Sequence, residues 1–196
     1  MEMRGYMFFR VLTLGILAGF LLTQGCTAAP AGEKGRPDGG NIAACNVEWL
    51  ADGDYFPALL EAIDQAQEEL WLTAFFFKTN GFQENRPDQV LSSLQAAAGR
   101  GIAVTVLFEQ GSDGDQVSRE NRQTAGRLRH SGVRVCFDTP KRTTHAKLLV
   151  VDGRLLLVGS HNLTQSALKY NHEVSVRIQS QSLAEEALRY LRPFCP

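Results

Sequence analysis

His145-Ala146-Lys147-Leu148-Leu149-Val150-Val151-Asp152-Gly153-Arg154-Leu155-Leu156-Leu157-Val158-Gly159-Ser160-His161-Asn162 carries the strongest structural signal in the chain. Two aliphatic runs, 148–151 and 155–158, flank Asp152-Gly153, a dipeptide suited to a tight hairpin turn. The pattern predicts two buried, paired strands with polar residues at their outer ends. Strand side chains alternate faces with period two, so His145 and Lys147 share a face. Asp152 has the opposite parity and would lie about 23 Å from His145 along an unbroken strand. It is therefore excluded as the carboxylate that orients the imidazole and is read as structural, fixing the turn. Closing the hairpin returns Ser160 and Asn162 to the His145 end. An imidazole, an ammonium, a hydroxyl and a carboxamide gathered at one sheet edge suit a phosphoryl group: a nucleophile or base, a cation for the oxygens and two neutral donors.

Working outward, the rest of the chain reads as alternating strands and helices. A short strand is predicted at 45–50. A helix over 58–69 follows, with Leu59, Leu60, Ile63 and Ala66 at helical spacing. The run 70–77 (LWLTAFFF) reads as a central strand buried on both faces. Its Phe residues are assigned to the core, with Phe77 at the strand end as a cleft-lining alternative. Helices at 87–98 and 116–130 alternate with strands at 102–108 and 133–137, and a turn follows at 163–168. A last strand is predicted at 172–178. Ser182 with Glu185 forms a capping-box pattern opening a helix to Leu191. This rhythm predicts an α/β domain over 41–196 with a mixed, largely parallel sheet and helices on both faces.

The N-terminus has a different character. Arg4 and Arg10 precede a 12-residue apolar run over 11–22, followed by Thr23-Gln24-Gly25-Cys26. A positive start, a short apolar core and a small-residue exit read as an export signal over 1–26. An uncleaved anchor is the alternative, although the run falls short of the ~20 apolar residues of a spanning helix. Gly25-Cys26 resembles the cleavage and lipidation point of bacterial lipoproteins, with Thr23 departing from that pattern. Residues 27–40, rich in Pro and Gly, read as a flexible linker. These features predict an exported bacterial envelope protein, periplasmic or membrane-anchored, with membrane association through its N-terminus and Cys26 as a lipidation site.

The 196-residue chain carries a net charge of −1. Removing the first 26 residues, which hold Arg4, Arg10 and Glu2, leaves 18 basic and 20 acidic residues, a net −2. That excludes dependence on a globally basic surface for polyanion binding. Nucleic-acid binding would have to come from a local patch such as Arg119, Arg122, Arg127, Arg129, Arg134, Lys141 and Arg142, which reads equally well as a solvated face. The Cys residues are scattered and no His pair has ligand spacing, so neither a metal nor another cofactor is expected. Export favours disulfides, and pairing of the domain termini, Cys45 with Cys195, is expected, leaving Cys136 as a buried thiol.

The spacing His145-x-Lys147, four residues, Asp152, six residues, Gly159-Ser160-x-Asn162 resembles the signature of the phospholipase D superfamily. With six fixed residue types, a chance match is on the order of one in a million. The resemblance covers the chain from Val47 to about Leu191, with its specificity in the motif. It implies the phospholipase D-like fold and a phosphodiester hydrolase acting through a phosphohistidine on His145. Lys147, Asn162 and Ser160 would bind the phosphate, while Asp152 and Gly159 would be structural. Related single-motif enzymes carry an acidic residue near Glu173, which implies Glu173 as the acceptor orienting His145. His161 fills the variable place of the motif and is read as lining the cleft; His172 stays ambiguous. Phospholipid and nucleic acid both remain open as substrates. A non-catalytic phosphate- or lipid-binding module is the alternative class. The motif occurs once, so a homodimer sharing one active site is expected to supply the second His.

Overall fold

A computed structural model of the chain describes residues 46–111, 114–139 and 141–196. The expected export signal, Cys26 and the linker lie outside these residues, as does Cys45. Among the described residues, no helix is long and apolar enough to cross a membrane.

The elements in order are β1 (Asn46–Ala51), α1 (Tyr55–Asp64), β2 (Glu69–Ala74), α2 (Arg86–Gly99), β3 (Ala103–Phe108), α3 (Gln116–Arg129) and β4 (Arg134–Phe137). After these come β5 (Leu148–Val151), β6 (Leu155–Gly159), α4 (Gln165–Lys169), β7 (Val174–Gln179) and α5 (Gln181–Leu191). Among the described residues seven strands form one sheet in the order β1-β7-β6-β5-β2-β3-β4.

The α/β class is as the sequence predicts, but the sheet is mostly antiparallel rather than largely parallel. Only β2–β3 and β3–β4 pair in parallel, each pair joined by a helical crossover through α2 or α3. The pairs β2–β5, β5–β6, β6–β7 and β7–β1 are antiparallel. The strict strand–helix alternation stops at β4. The described residues of the connection from Asp138 to Lys147 contain no helix, and the chain then turns back on itself at 152–154.

Side-chain parity sorts the sheet into two faces. Leu70, Leu72, Val104, Val106, Leu149, Val151 and Leu157 join Leu59, Ile63, Leu94 and Leu128 beneath α1, α2 and α3. Trp71, Leu107, Val150 and Leu156 face Ala184, Leu188 and Leu191 of α5. Each fully buried aliphatic side chain contributes about 1.5–3 kcal/mol.

Asp152 (φ 50) and Gly153 (φ 60) both take the left-handed conformation that a tight hairpin requires, and Arg154 N–H returns to Val151 C=O at 3.0 Å. The Asp152 carboxylate does more than shape this turn. It accepts N–H groups from Gln67, Glu68 and Glu69 at 3.0, 2.8 and 3.0 Å. This caps the entry to β2, and α1 accordingly stops at Asp64 rather than Glu69.

Three further expectations are corrected. The turn at 163–168 contains the short helix α4, whose start Thr164 caps through Ala167 N–H at 3.2 Å. The cap of α5 is Ser180, which accepts Leu183 N–H, not Ser182. The disulfide joins Cys136 to Cys195, with Cα atoms 5.6 Å apart. Cys136 lies on the α5 side of edge strand β4, and the chain leaving α5 passes over it, so Cys195 reaches Cys136 directly.

Candidate active site

β5 and β6 pair through Leu148 and Val158, and Gly159 N–H continues the ladder to Lys147 C=O at 3.3 Å. His145 and Lys147 therefore stand just before β5, level with Gly159 and Ser160 just after the paired part of β6. Leu163 N–H donates to Phe76 C=O at 2.9 Å and Lys78 N–H donates to Leu163 C=O at 2.9 Å. These bonds fasten the residue after Asn162 beside the end of β2. The hairpin thus delivers His145, Lys147, Ser160 and Asn162 to one sheet edge, while Asp152 sits at the opposite end.

At that edge the Lys147 ammonium lies 3.1 Å from His145 Nδ1 and 3.3 Å from Nε2, and it donates to His145 C=O at 2.7 Å. An ammonium has only donors, so the ring nitrogen it meets presents a lone pair. Lys147 is buried, and burial lowers its pKa below the ordinary 10.5; the nearby Glu173 carboxylate acts in the opposite direction. The Phe75 ring lies under both groups, 4.4 Å from the imidazole centroid and 4.9 Å from Nζ. Phe77, named as the cleft alternative, is instead fully buried. Phe75 keeps the parity of Trp71, whereas Phe77, past the end of β2 and bridged to Leu163, departs from period two and joins the core beneath α1, α2 and α3.

Asn162 Oδ1 is buried without a hydrogen-bond partner among the described residues. Ser160 Oγ donates to Glu173 Oε2 and accepts Val174 N–H at 3.1 Å. Glu173 also accepts Asn171 Nδ2 at 3.0 Å. Its carboxylate therefore meets Ser160 and Asn171 rather than the His145 ring. Asp52, at φ 48, holds the Glu173 backbone: Glu173 N–H donates to Asp52 Oδ1 at 2.9 Å and Asp52 N–H to Glu173 C=O at 2.8 Å. That N–H, together with the His172 imidazole at 3.1 Å, holds the Asp52 carboxyl below its ordinary pKa.

His161 does not line the cleft. It is buried, stacked on Tyr55 at 4.3 Å, and bonded to Ser175 Oγ at 2.8 Å and Asp52 C=O at 3.0 Å. Only an N–H can pair with a carbonyl, so Nε2 carries the proton and Nδ1 accepts from Ser175. Burial lowers the His161 pKa, which agrees with a neutral ring.

Two acids escaped the sequence reading. Glu109 and Asp138 immediately follow β3 and β4 and are buried beside Thr144. Burial raises the Glu109 pKa, Asp138 and Asp115 add to the rise, and Thr144 N–H opposes it. A signal was present: one acid directly follows each of two parallel strands. The basic patch is partly tied up, since Arg127 pairs with Asp88 at 2.6 Å and Arg134 bonds Cys195 C=O at 3.2 Å. Among the described residues, no three His, Cys, Asp or Glu side chains gather as a metal-ligand set.

A sheet edge carrying His, Lys, Ser and Asn on one hairpin gathers a lone pair, a cation and two neutral polar groups, a set suited to a phosphoryl group. The family model described as "Cardiolipin synthase, PLD-like domain" matches residues 59–193, and the chain belongs to this phospholipase D-like family, whose enzymes act on phosphodiester bonds. Cardiolipin synthase A of Serratia proteamaculans is 29% identical over 146 residues, which are 71% of this chain and 28% of that protein. The chain thus matches little more than a quarter of that relative's length. Two solved structures share the fold. Nuc from Salmonella typhimurium, a phospholipase D family member, has a TM-score of 0.65 at 23% identity, covering 77% of this chain and 94% of that one. NucT from Helicobacter pylori has a TM-score of 0.63 at 17% identity, covering 77% and 96%.

Proposed function

We propose that the protein is a phosphodiester hydrolase in which His145 forms a phosphohistidine. The observation that carries this reading is the His145–Lys147 contact at the edge shared with Ser160 and Asn162. A neutral imidazole attacks phosphorus and the bond to the leaving oxygen breaks, with a proton delivered to that oxygen. Water then attacks phosphorus, the phosphorus–nitrogen bond breaks and His145 is regenerated. Lys147 and Asn162 hold the non-bridging oxygens as their charge grows, with Ser160 as a further donor. Glu173 sets Ser160 and supports the charge of Lys147. His145 is exposed, which gives water access for the second step.

The leaving-group proton is assigned to His145 of a second copy, in a homodimer with one shared cleft. An exposed apolar stripe supports this arrangement. Val47, Trp49, Val158 and Val174 are exposed, Trp49 to 66%, and pairing and parity put them on the α5 side of the sheet, beyond α5. Val158 and Val174 directly adjoin Gly159-Ser160 and Glu173. Burying the stripe against its own copy removes apolar area from water and brings two sites together. Mixing His145→Ala subunits with wild type should give mixed dimers that fail to turn over. Normal turnover of mixed dimers, or a monomeric active species, contradicts the shared cleft.

The Cys136–Cys195 disulfide supports placement in an oxidising compartment, in line with an exported envelope protein. Phospholipid and nucleic acid are the two substrate classes, separated by assaying the protein in parallel on phosphatidylcholine, cardiolipin, single-stranded DNA and RNA. Rapid quenching with a substrate labelled in its phosphorus should trap an acid-labile, alkali-stable phosphoenzyme that the His145→Ala variant does not form. An adduct formed equally by that variant rules out His145 as the nucleophile.

A further inference from the structure

We propose that Thr144, gripped by the carboxylates of Glu109 and Asp138, fixes the backbone that presents His145, so that Glu109, Asp138 and Thr144 are positioning residues for the nucleophile; this rests on the assignment of His145 above. The need for such a device follows from the topology. Between Asp138 and Lys147, which still bond to neighbouring strands, the described residues form no strand or helix, so no regular ladder holds them. His145 lies inside this unsupported connection, where a displacement of 1 Å costs about 10²-fold in rate.

The neighbouring parallel strands supply the anchor. Phe108 and Phe137 are register partners. Glu109 N–H continues the sheet to Ala74 C=O at 3.1 Å, and Asp138 N–H to Phe108 C=O at 2.9 Å. Both acids are thereby fixed by the rigid sheet, and both are nearly covered, at 4% and 8% exposure. Burying two carboxyls together is unfavourable unless donors meet them. Thr144 supplies a donor to each: its N–H to Glu109 Oε2 and its Oγ–H to Asp138 Oδ2. Holding one residue by both backbone and side chain leaves it little freedom, and the next residue is His145.

The opposite side of the imidazole is tied to the same frame. Asn121, fully buried on α3, donates to Phe75 C=O at 2.9 Å and to Glu109 C=O at 3.1 Å, and it accepts Phe77 N–H at 2.9 Å. One amide thus sets the backbone of the ring beneath His145 and of the acid that holds Thr144.

The test uses the full chain with bis(4-nitrophenyl) phosphate as substrate and the variants Thr144→Val, Thr144→Ser and Glu109→Gln. Thr144→Val keeps the branched shape and removes the hydroxyl. It should lower kcat by roughly 10- to 100-fold with KM within about twofold, and Thr144→Ser should restore most of the rate. Glu109→Gln should lower kcat and speed hydrogen exchange at the Thr144 amide, a readout independent of turnover that also serves if Thr144→Val fails to fold. Wild-type kcat in Thr144→Val, or equal damage in Thr144→Ser, overturns the proposal. His145→Ala is the control. If it turns over normally, the nucleophile assignment falls and the inference with it; if it is inactive while Thr144→Val is fully active, the inference alone falls.

Discussion

A Cβ placed on Gly159 would lie 2.1 Å from Ser175 Oγ, 2.4 Å from Ser175 Cα and 2.4 Å from Val174 C=O. The glycine of the motif thus leaves no room for a side chain between β6 and β7, and Ser160, the next residue, bonds to Glu173. Gly159→Ala should cost about 3 kcal/mol, the upper end of ordinary overpacking, read from denaturant unfolding. Adding Ser175→Gly should recover little, because two of the three collisions are with backbone. Full recovery in the double variant would place the conflict in the hydroxyl alone.

Lys147→Ala and Asn162→Ala should each lower kcat by on the order of 10²-fold with smaller changes in KM, since both side chains act on charge that grows in the transition state. Steady-state kinetics decide this. A pure KM effect would assign the pair to ground-state binding.

Lys147 has its pKa lowered by burial and raised by Glu173, with burial the larger effect. The reaction needs the ammonium, so the alkaline limb of kcat/KM should fall at a pH below 10.5, the ordinary lysine value. Glu173→Gln removes the opposing influence and should move that limb lower still. Stability carries the matching sign. The folded protein holds the charged form less well than the unfolded chain does, so stability should rise as pH passes from the folded pKa toward 10.5. A limb at or above that value would contradict the burial argument.

Activity should survive excess EDTA, because the proposed chemistry needs only side chains of this protein. Abolition by chelation with recovery on adding zinc or calcium ions would contradict the scheme.

Reduction of Cys136–Cys195, which spans 59 residues of sequence, should cost about 4 kcal/mol by the chain-entropy relation. Thermal unfolding with and without reductant measures this, and peptide mapping without reduction should return the 136–195 cross-link. Intact activity with a lowered Tm is the expected pattern, since the bond ties edge strand β4 to the chain that follows α5.

The hairpin was legible because two independent signals coincide there: aliphatic runs of strand length, and a dipeptide that tolerates the positive φ found at Asp152 and Gly153. Parity then placed His145, Lys147, Ser160 and Asn162 at one end. Parity is local, however, and says nothing about which strand lies beside which. The direction of β5 beside β2 depends on where the connection after β4 lands, which is why strand–helix rhythm alone predicts a largely parallel sheet and the structure has a mostly antiparallel one. The Cys136–Cys195 pairing failed for the same reason, since it depends on how α5 returns over β4. Glu109, Asp138 and Phe75 carry no motif spacing. Their relation to His145 exists only because β2, β3 and β4 end at the same edge. The reading of His161 erred because variability of a motif position is not exposure, and here that position faces Tyr55 and Ser175.

The three N–H groups held by Asp152 give the hairpin the character of a gauge block. One end is clamped to the entry of β2, and the reactive end stands off from it by a fixed number of residues. Substitutions within 148–151 or 155–158 that keep the apolar character leave this length untouched. Insertion of a single residue in either run changes it by about 3.3 Å and turns every side chain beyond the insertion to the other face. The two spacers are therefore dimensions of the machine, and the tolerance on them is less than one residue.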